Sequence, residues 1–120
     1  MLVRTVPVTA FQQNARILID TESATAVIVD PGGDVAELLS ALALGLPGGR
    51  SLTVSAVALT HAHLDHAGGV AQLLKALAQQ GARPELLGHR ADKPLRESIE
   101  RQAVMFGLSA AEFQNAPEPD

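Results

Sequence analysis

Thr60-His61-Ala62-His63-Leu64-Asp65-His66-Ala67-Gly68-Gly69 packs four metal-capable side chains, His61, His63, Asp65 and His66, into six residues; three of the chain's four histidines are here. Upstream, Leu52 to Leu59 is an apolar run rich in β-branched residues and predicts a buried strand. Downstream, Gly68 and Gly69 lead into Val70-Ala71-Gln72-Leu73-Leu74-Lys75-Ala76-Leu77, whose apolar spacing predicts an amphipathic helix. The donors therefore belong to a strand-to-helix loop at the carboxyl end of a strand, where α/β folds usually place their chemistry.

The spacing has a chemical logic. His61 and His63 are two apart, so in an extended segment both imidazoles leave the same side of the chain. Neutral imidazole nitrogens at that spacing can bind one metal ion. Asp65 and His66 fall where the chain turns toward the helix, which can swing a carboxylate and a third imidazole toward a second ion. Paired divalent ions suit hydrolysis, because they activate water and polarise a carbonyl. The nitrogen-rich set favours zinc, and iron or manganese can use the same ligands.

The rest of the composition narrows the class. At 120 residues the chain is long enough for one small domain, residues 1–120. Apolar residues make up 47% but aromatics only 2%, so the core must be built from Ala, Val, Leu and Ile. A net charge of −4 without a run of like charge points to neither a nucleic-acid partner nor a membrane surface. With no cysteine, disulfides and thiolate metal sites are excluded, which fits a cytoplasmic protein. The first residues show no apolar signal-peptide core, and no stretch reaches transmembrane length.

Read in order, the chain predicts strands at residues 2–8, 15–20, 24–30 and 52–60, with residues 11–14 as a turn. The two middle strands form a hairpin through Thr21-Glu22-Ser23. Asp34 is the expected N-cap of a helix over residues 35–44, stopped at Gly45. A second helix is expected from Gly69 to Gln80 and a third from Pro94 to Phe106, with a short strand at residues 85–88 between them. Ser109 and Glu112 fit a capping box and predict one further helical turn. Asp30, before Pro31-Gly32 at a strand end, reads either as turn chemistry or as a carboxylate that orients a ligand histidine. His89 reads as a solvated loop histidine and Asn14 as a turn residue.

His61-Ala62-His63-Leu64-Asp65-His66 is the H-x-H-x-D-H pattern, and on it the chain resembles the metallo-β-lactamase superfamily. Three further segments narrow the resemblance to glyoxalase II-like (hydroxyacylglutathione hydrolase-like) enzymes: Val6 to Asn14, Val29 to Asp34, and Met105-Phe106-Gly107-Leu108. The resemblance implies half of an αβ/βα sandwich, one mixed sheet with helices on its outer face. It implies hydrolysis of a thioester such as S-D-lactoylglutathione by a metal-bound hydroxide, with two zinc ions in a complete site. His61 and His63 would hold the first ion, and Asp65 and His66 the second. Asp65 would also act in catalysis, accepting a hydrogen bond from the nucleophile.

The chain departs from the family pattern too. No downstream G-H-x-x-G-H segment or later bridging aspartate is present, so the match is to the family's N-terminal part. Three alternatives follow from the resemblance and this departure: a persulfide dioxygenase, a lactonase, or a module that binds metal weakly and catalyses nothing. An inner sheet face left without its partner predicts self-association of the chain.

Overall fold

The computed structural model describes residues 1–120 as one five-stranded mixed sheet with its helices on one side. Strands β1 (Leu2–Val8), β2 (Gln13–Asp20) and β3 (Thr25–Val29) form an antiparallel meander. Helix α1 (Val35–Ala43) crosses over to β4 (Thr53–Ala58), which pairs with β3 in parallel. One helical turn, α2 (Leu64–Ala67), and helix α3 (Val70–Gln79) then lead to β5 (Glu85–Leu87), parallel to β4 at the edge. The spatial order is the sequence order, β1-β2-β3-β4-β5. The expected α/β class and mixed sheet are what the chain forms, and the sheet is open.

Alternation along the strands decides which face is covered. Ile17, Ile19, Ala26 and Ile28 are buried to within 1% and belong to one apolar cluster with Leu64, Ala67, Val70, Leu73, Leu77 and Ile99 of the helices. Their neighbours Leu18, Val27 and Val29 point to the other face and are only half-buried. Val3 and Leu87, on that same face at the two edge strands, are 55% and 41% exposed. With almost no aromatic bulk, the core is close-packed from aliphatic side chains. Phe113 is the only buried aromatic.

Several boundaries differ from expectation, each for a physical reason. Gln13 and Asn14 are not turn residues: they pair with Val8 and Pro7 and extend β2 toward the tight turn at Thr9–Gln12. The strand β4 ends at Ala58: Leu59 N still donates to Leu87 O at 2.9 Å, and Thr60 turns away to bond Asp30. The third helix is not continuous. A 3₁₀ turn at Arg90–Asp92 precedes α4 (Lys93–Arg96), and α5 (Ile99–Met105) starts afresh. Ser98 makes the break, since its amide and its hydroxyl both donate to Leu95 O at 3.1 Å, a local alternative to the helical ladder. Asp34 occupies the N-cap position of α1 but does not cap it; its carboxylate accepts from Thr9 N at 2.6 Å instead. Ser109 closes a single turn by accepting from Ala111 N through its hydroxyl, and no helix follows.

Candidate metal centre

The loop after β4 alternates outward and inward. Ala62 and Leu64 are buried in the core, while His61 and His63 face out beside them. This is the period of an extended chain, so the two imidazoles share a side. Their rings meet edge to face with centroids 4.7 Å apart. At His63 the backbone is extended (φ −63°, ψ 152°), and α2 begins directly after it, with His66 N and Ala67 N both donating to His63 O at 2.9 Å. That single turn brings His66 back against His61, ring centroids 3.9 Å apart. Asp65, on the same turn, keeps 37% of its side chain exposed, with Oδ2 3.5 Å from His66 Nε2.

Asp30 organises this cluster from beneath. It lies just past the end of β3, 4% exposed, with a positive φ of 53° that aspartate tolerates better than most residues. Its carboxylate serves three donors across the gap between β3 and β4. Thr60 N donates to Oδ1 at 2.8 Å, Thr60 Oγ1 donates to Oδ2 at 2.6 Å, and His66 Nδ1 lies 2.9 Å from Oδ2. With Nδ1 committed to a carboxylate, His66 keeps Nε2 for a metal, the arrangement that usually orients ligating histidines. Thr60 also bonds forward to His61 Nδ1 at 3.1 Å. Thr60 is the site residue that the sequence reading missed. Its position, directly between a strand end and the first histidine, was the available signal.

The donor set suits a divalent ion in type. As they stand, however, the three rings pack against one another, and no group of three or more His, Asp or Glu side chains is arranged to hold one ion. His89 lies elsewhere in structure and role: its Nδ1 accepts from Ala91 N at 3.0 Å and caps the 3₁₀ turn.

Residues 8–114 match the family model of the metallo-beta-lactamase superfamily. The chain is 38% identical over 109 residues to the hydroxyacylglutathione hydrolase GloC of Haemophilus influenzae, covering 90% of this chain and 46% of that one. It is 41% identical over 71 residues to a hydroxyacylglutathione hydrolase of Serratia proteamaculans, covering 58% of this chain and 25% of that one. Among solved structures, TTHA1623 in a di-iron-bound form superposes with a TM-score of 0.72 at 34% identity, over 97% of this chain and 51% of that one. BLEG-1, a B3 metallo-beta-lactamase, superposes with a TM-score of 0.70 at 24% identity, over 99% of this chain and 54% of that one, and supports the fold alone. The chain thus spans about half the length of the first relatives it matches. The open mixed sheet, the donor-rich loop at its carboxyl edge and the family match agree: the chain belongs to the metallo-beta-lactamase superfamily.

Proposed function

We propose that this protein is a metal-dependent hydrolase of the glyoxalase II kind, acting on a thioester such as S-D-lactoylglutathione. The observation that carries the reading is the hydrogen bond of His66 Nδ1 to the buried Asp30, which holds a histidine ready to ligate through Nε2. The resemblance to GloC supports the substrate class. His61 and His63 would hold one ion and Asp65 and His66 a second; zinc is the expected metal, with iron or manganese able to use the same donors. A bound divalent ion supplies Lewis-acid activation of water and of the carbonyl. Asp65, partly open to solvent, accepts a hydrogen bond from the attacking water and orients it. The buried Asp30 keeps His66 from turning away when a ligand enters.

A second reading has its own observation. Four donors divided between two ions leave each with two protein ligands, where catalytic zinc usually keeps three, and no three donors here are grouped. A weak metal-binding module without turnover would look like this. Calorimetric titration with zinc, beside an S-D-lactoylglutathione assay of the same samples, separates the two. Turnover that follows bound zinc and disappears in Asp65→Ala supports the hydrolase. Weak zinc binding, lost in His66→Ala but kept in His89→Ala, without thioester cleavage supports the module. No zinc binding at all sinks both.

A further inference from the structure

Two glycine pairs from separate parts of the chain interlock directly under the donor loop. Gly32 and Gly33 follow Asp30 and Pro31; Gly68 and Gly69 follow α2. The interlock is backbone against backbone. Gly69 N donates to Pro31 O at 3.0 Å. A Cβ at Gly69 would meet Pro31 O at 2.7 Å and Gly33 N at 2.9 Å, and one at Gly68 would meet Gly32 O at 2.8 Å. A Cβ at Gly32 would fall inside the van der Waals envelope of Asp65 O, 2.6 Å from the carbonyl carbon of Asp65. Neither partner there can swing aside, because both are main chain.

We infer that Gly32 is a positioning residue for the Asp65–His66 pair: its bare α-carbon is the seat on which the Asp65 carbonyl rests. The inference builds on the reading of Asp65 and His66 as metal donors. Gly32 is not among the residues of positive φ, so alanine suits its backbone and glycine is required there by contact rather than by conformation. The single turn of α2 is only four residues long; Leu64 and Ala67 anchor its inner side in the core, and Asp65 and His66 on its outer side need their own supports. Asp30 fixes it from one side through His66, and the Gly32 seat fixes it from below. Lifting the Asp65 carbonyl off that seat tilts α2 and carries His66 Nδ1 away from Asp30, past the roughly 3.2 Å limit of an ordinary N–H···O bond and off its preferred angle. Asp65 and His66 would then lose their shared orientation while the sheet below stayed intact.

Gly33 supplies the matched control. It is the next residue of the same buried loop, but a Cβ there meets the Thr9 Cγ2 methyl at 2.5 Å, so what must shift belongs to the turn between β1 and β2 and not to the donor turn. The test uses the metal-free chain first. Imidazole ¹⁵N spectra report the His66 Nδ1 hydrogen bond, and circular dichroism reports the fold. Gly32→Ala should lose the hydrogen-bonded His66 resonance and keep its β-sheet spectrum; Gly33→Ala should keep both. Zinc titration of the same proteins should then show affinity at least tenfold lower for Gly32→Ala than for Gly33→Ala. In the unmodified chain, the Gly32 α-protons should give nuclear Overhauser contacts to the Asp65–His66 segment, which tests the seat even if Gly32→Ala does not fold. A Gly32→Ala protein with the wild-type His66 resonance, or an unmodified chain lacking those contacts, would overturn the inference. If the resonance is lost as expected but no variant, wild type included, binds zinc, the positioning stands and the metal reading fails.

Discussion

Two aspartates at opposite ends of the sheet do similar local chemistry with different consequences. Asp20 ends β2, at the end of the sheet away from the donor loop, and is exposed; its Oδ1 accepts from Glu22 N at 3.0 Å and Ser23 N at 3.5 Å, within its own turn. Asp30 follows β3 at the donor end and is buried; its partners come from residues 60 and 66, far along the chain. The first closes a hairpin, and water could replace every bond it makes. The second ties two crossovers together, and nothing replaces it. The same residue type after a strand thus reads as turn chemistry or as the foundation of a site according to where its donors originate.

The contrast predicts its largest effect at Asp30. Asp30→Ala removes the shared acceptor of Thr60 N, Thr60 Oγ1 and His66 Nδ1, and a buried donor left without a partner costs roughly 1–3 kcal/mol. Because Thr60 is exposed and His66 partly so, water recovers much of this, and the expected loss is about 2 kcal/mol in all, read from urea unfolding. An Asp30→Ala protein as stable as its parent would erase the distinction between the two ends. Asp30→Asn should recover part of the loss, since the amide oxygen can still accept from Thr60.

A comparison of the two sheet faces gives the next effect. The helix-covered face is sealed by Ile17, Ile19 and Ile28, whereas Val3, Leu18, Val27, Val29 and Leu87 form an apolar surface with no helix over it. Apolar patches above roughly a few hundred Å² usually mark association surfaces. The purified chain should therefore self-associate, with a light-scattering mass above that of the monomer. Val27→Lys, at the centre of the open face, should return it toward the monomer. A monodisperse monomer before any substitution would mean that the half-exposed aliphatic side chains are too dispersed to drive association.

Much of this architecture was legible from residue patterns, because the informative features were local. Two strand-like runs at residues 15–20 and 24–30 joined by the short polar Thr21-Glu22-Ser23 predict the hairpin, and the H-x-H-x-D-H run marks a metal loop without any tertiary knowledge. What was not legible depended on contacts between distant residues. Nothing near Gly32 in the chain reveals that Asp65 rests on it, and nothing near Asp34 reveals that Thr9 N takes the carboxylate intended for a cap. The break at Ser98 was hidden for the opposite reason. Helical periodicity runs through it, and a single hydroxyl bonding back to Leu95 O suffices to restart the helix.

The smallest effect belongs to Asp20, and its sign follows from its hydrogen bonds. The Glu22 amide, and after it the Ser23 amide and hydroxyl, hold the Asp20 carboxyl below the ordinary carboxylate value, because these donors favour the charged form. A carboxyl whose folded value is depressed binds its proton more weakly in the folded chain than in the unfolded one. Its contribution to stability is therefore present in full above the unfolded value and is lost as pH falls through the folded value. Replacing Asp20 by alanine should lower the urea midpoint slightly at neutral pH, and the gap from wild type should close as the pH drops below about 4. The group is fully exposed, so solvent screens the interaction and the gap stays small even at neutral pH. Parallel urea titrations at neutral and acid pH measure it. A gap that persists unchanged at acid pH would show that Asp20 acts through turn geometry alone, without its charge. A gap as large as that of Asp30→Ala would show that a turn aspartate in water matters as much as a buried one bridging two crossovers.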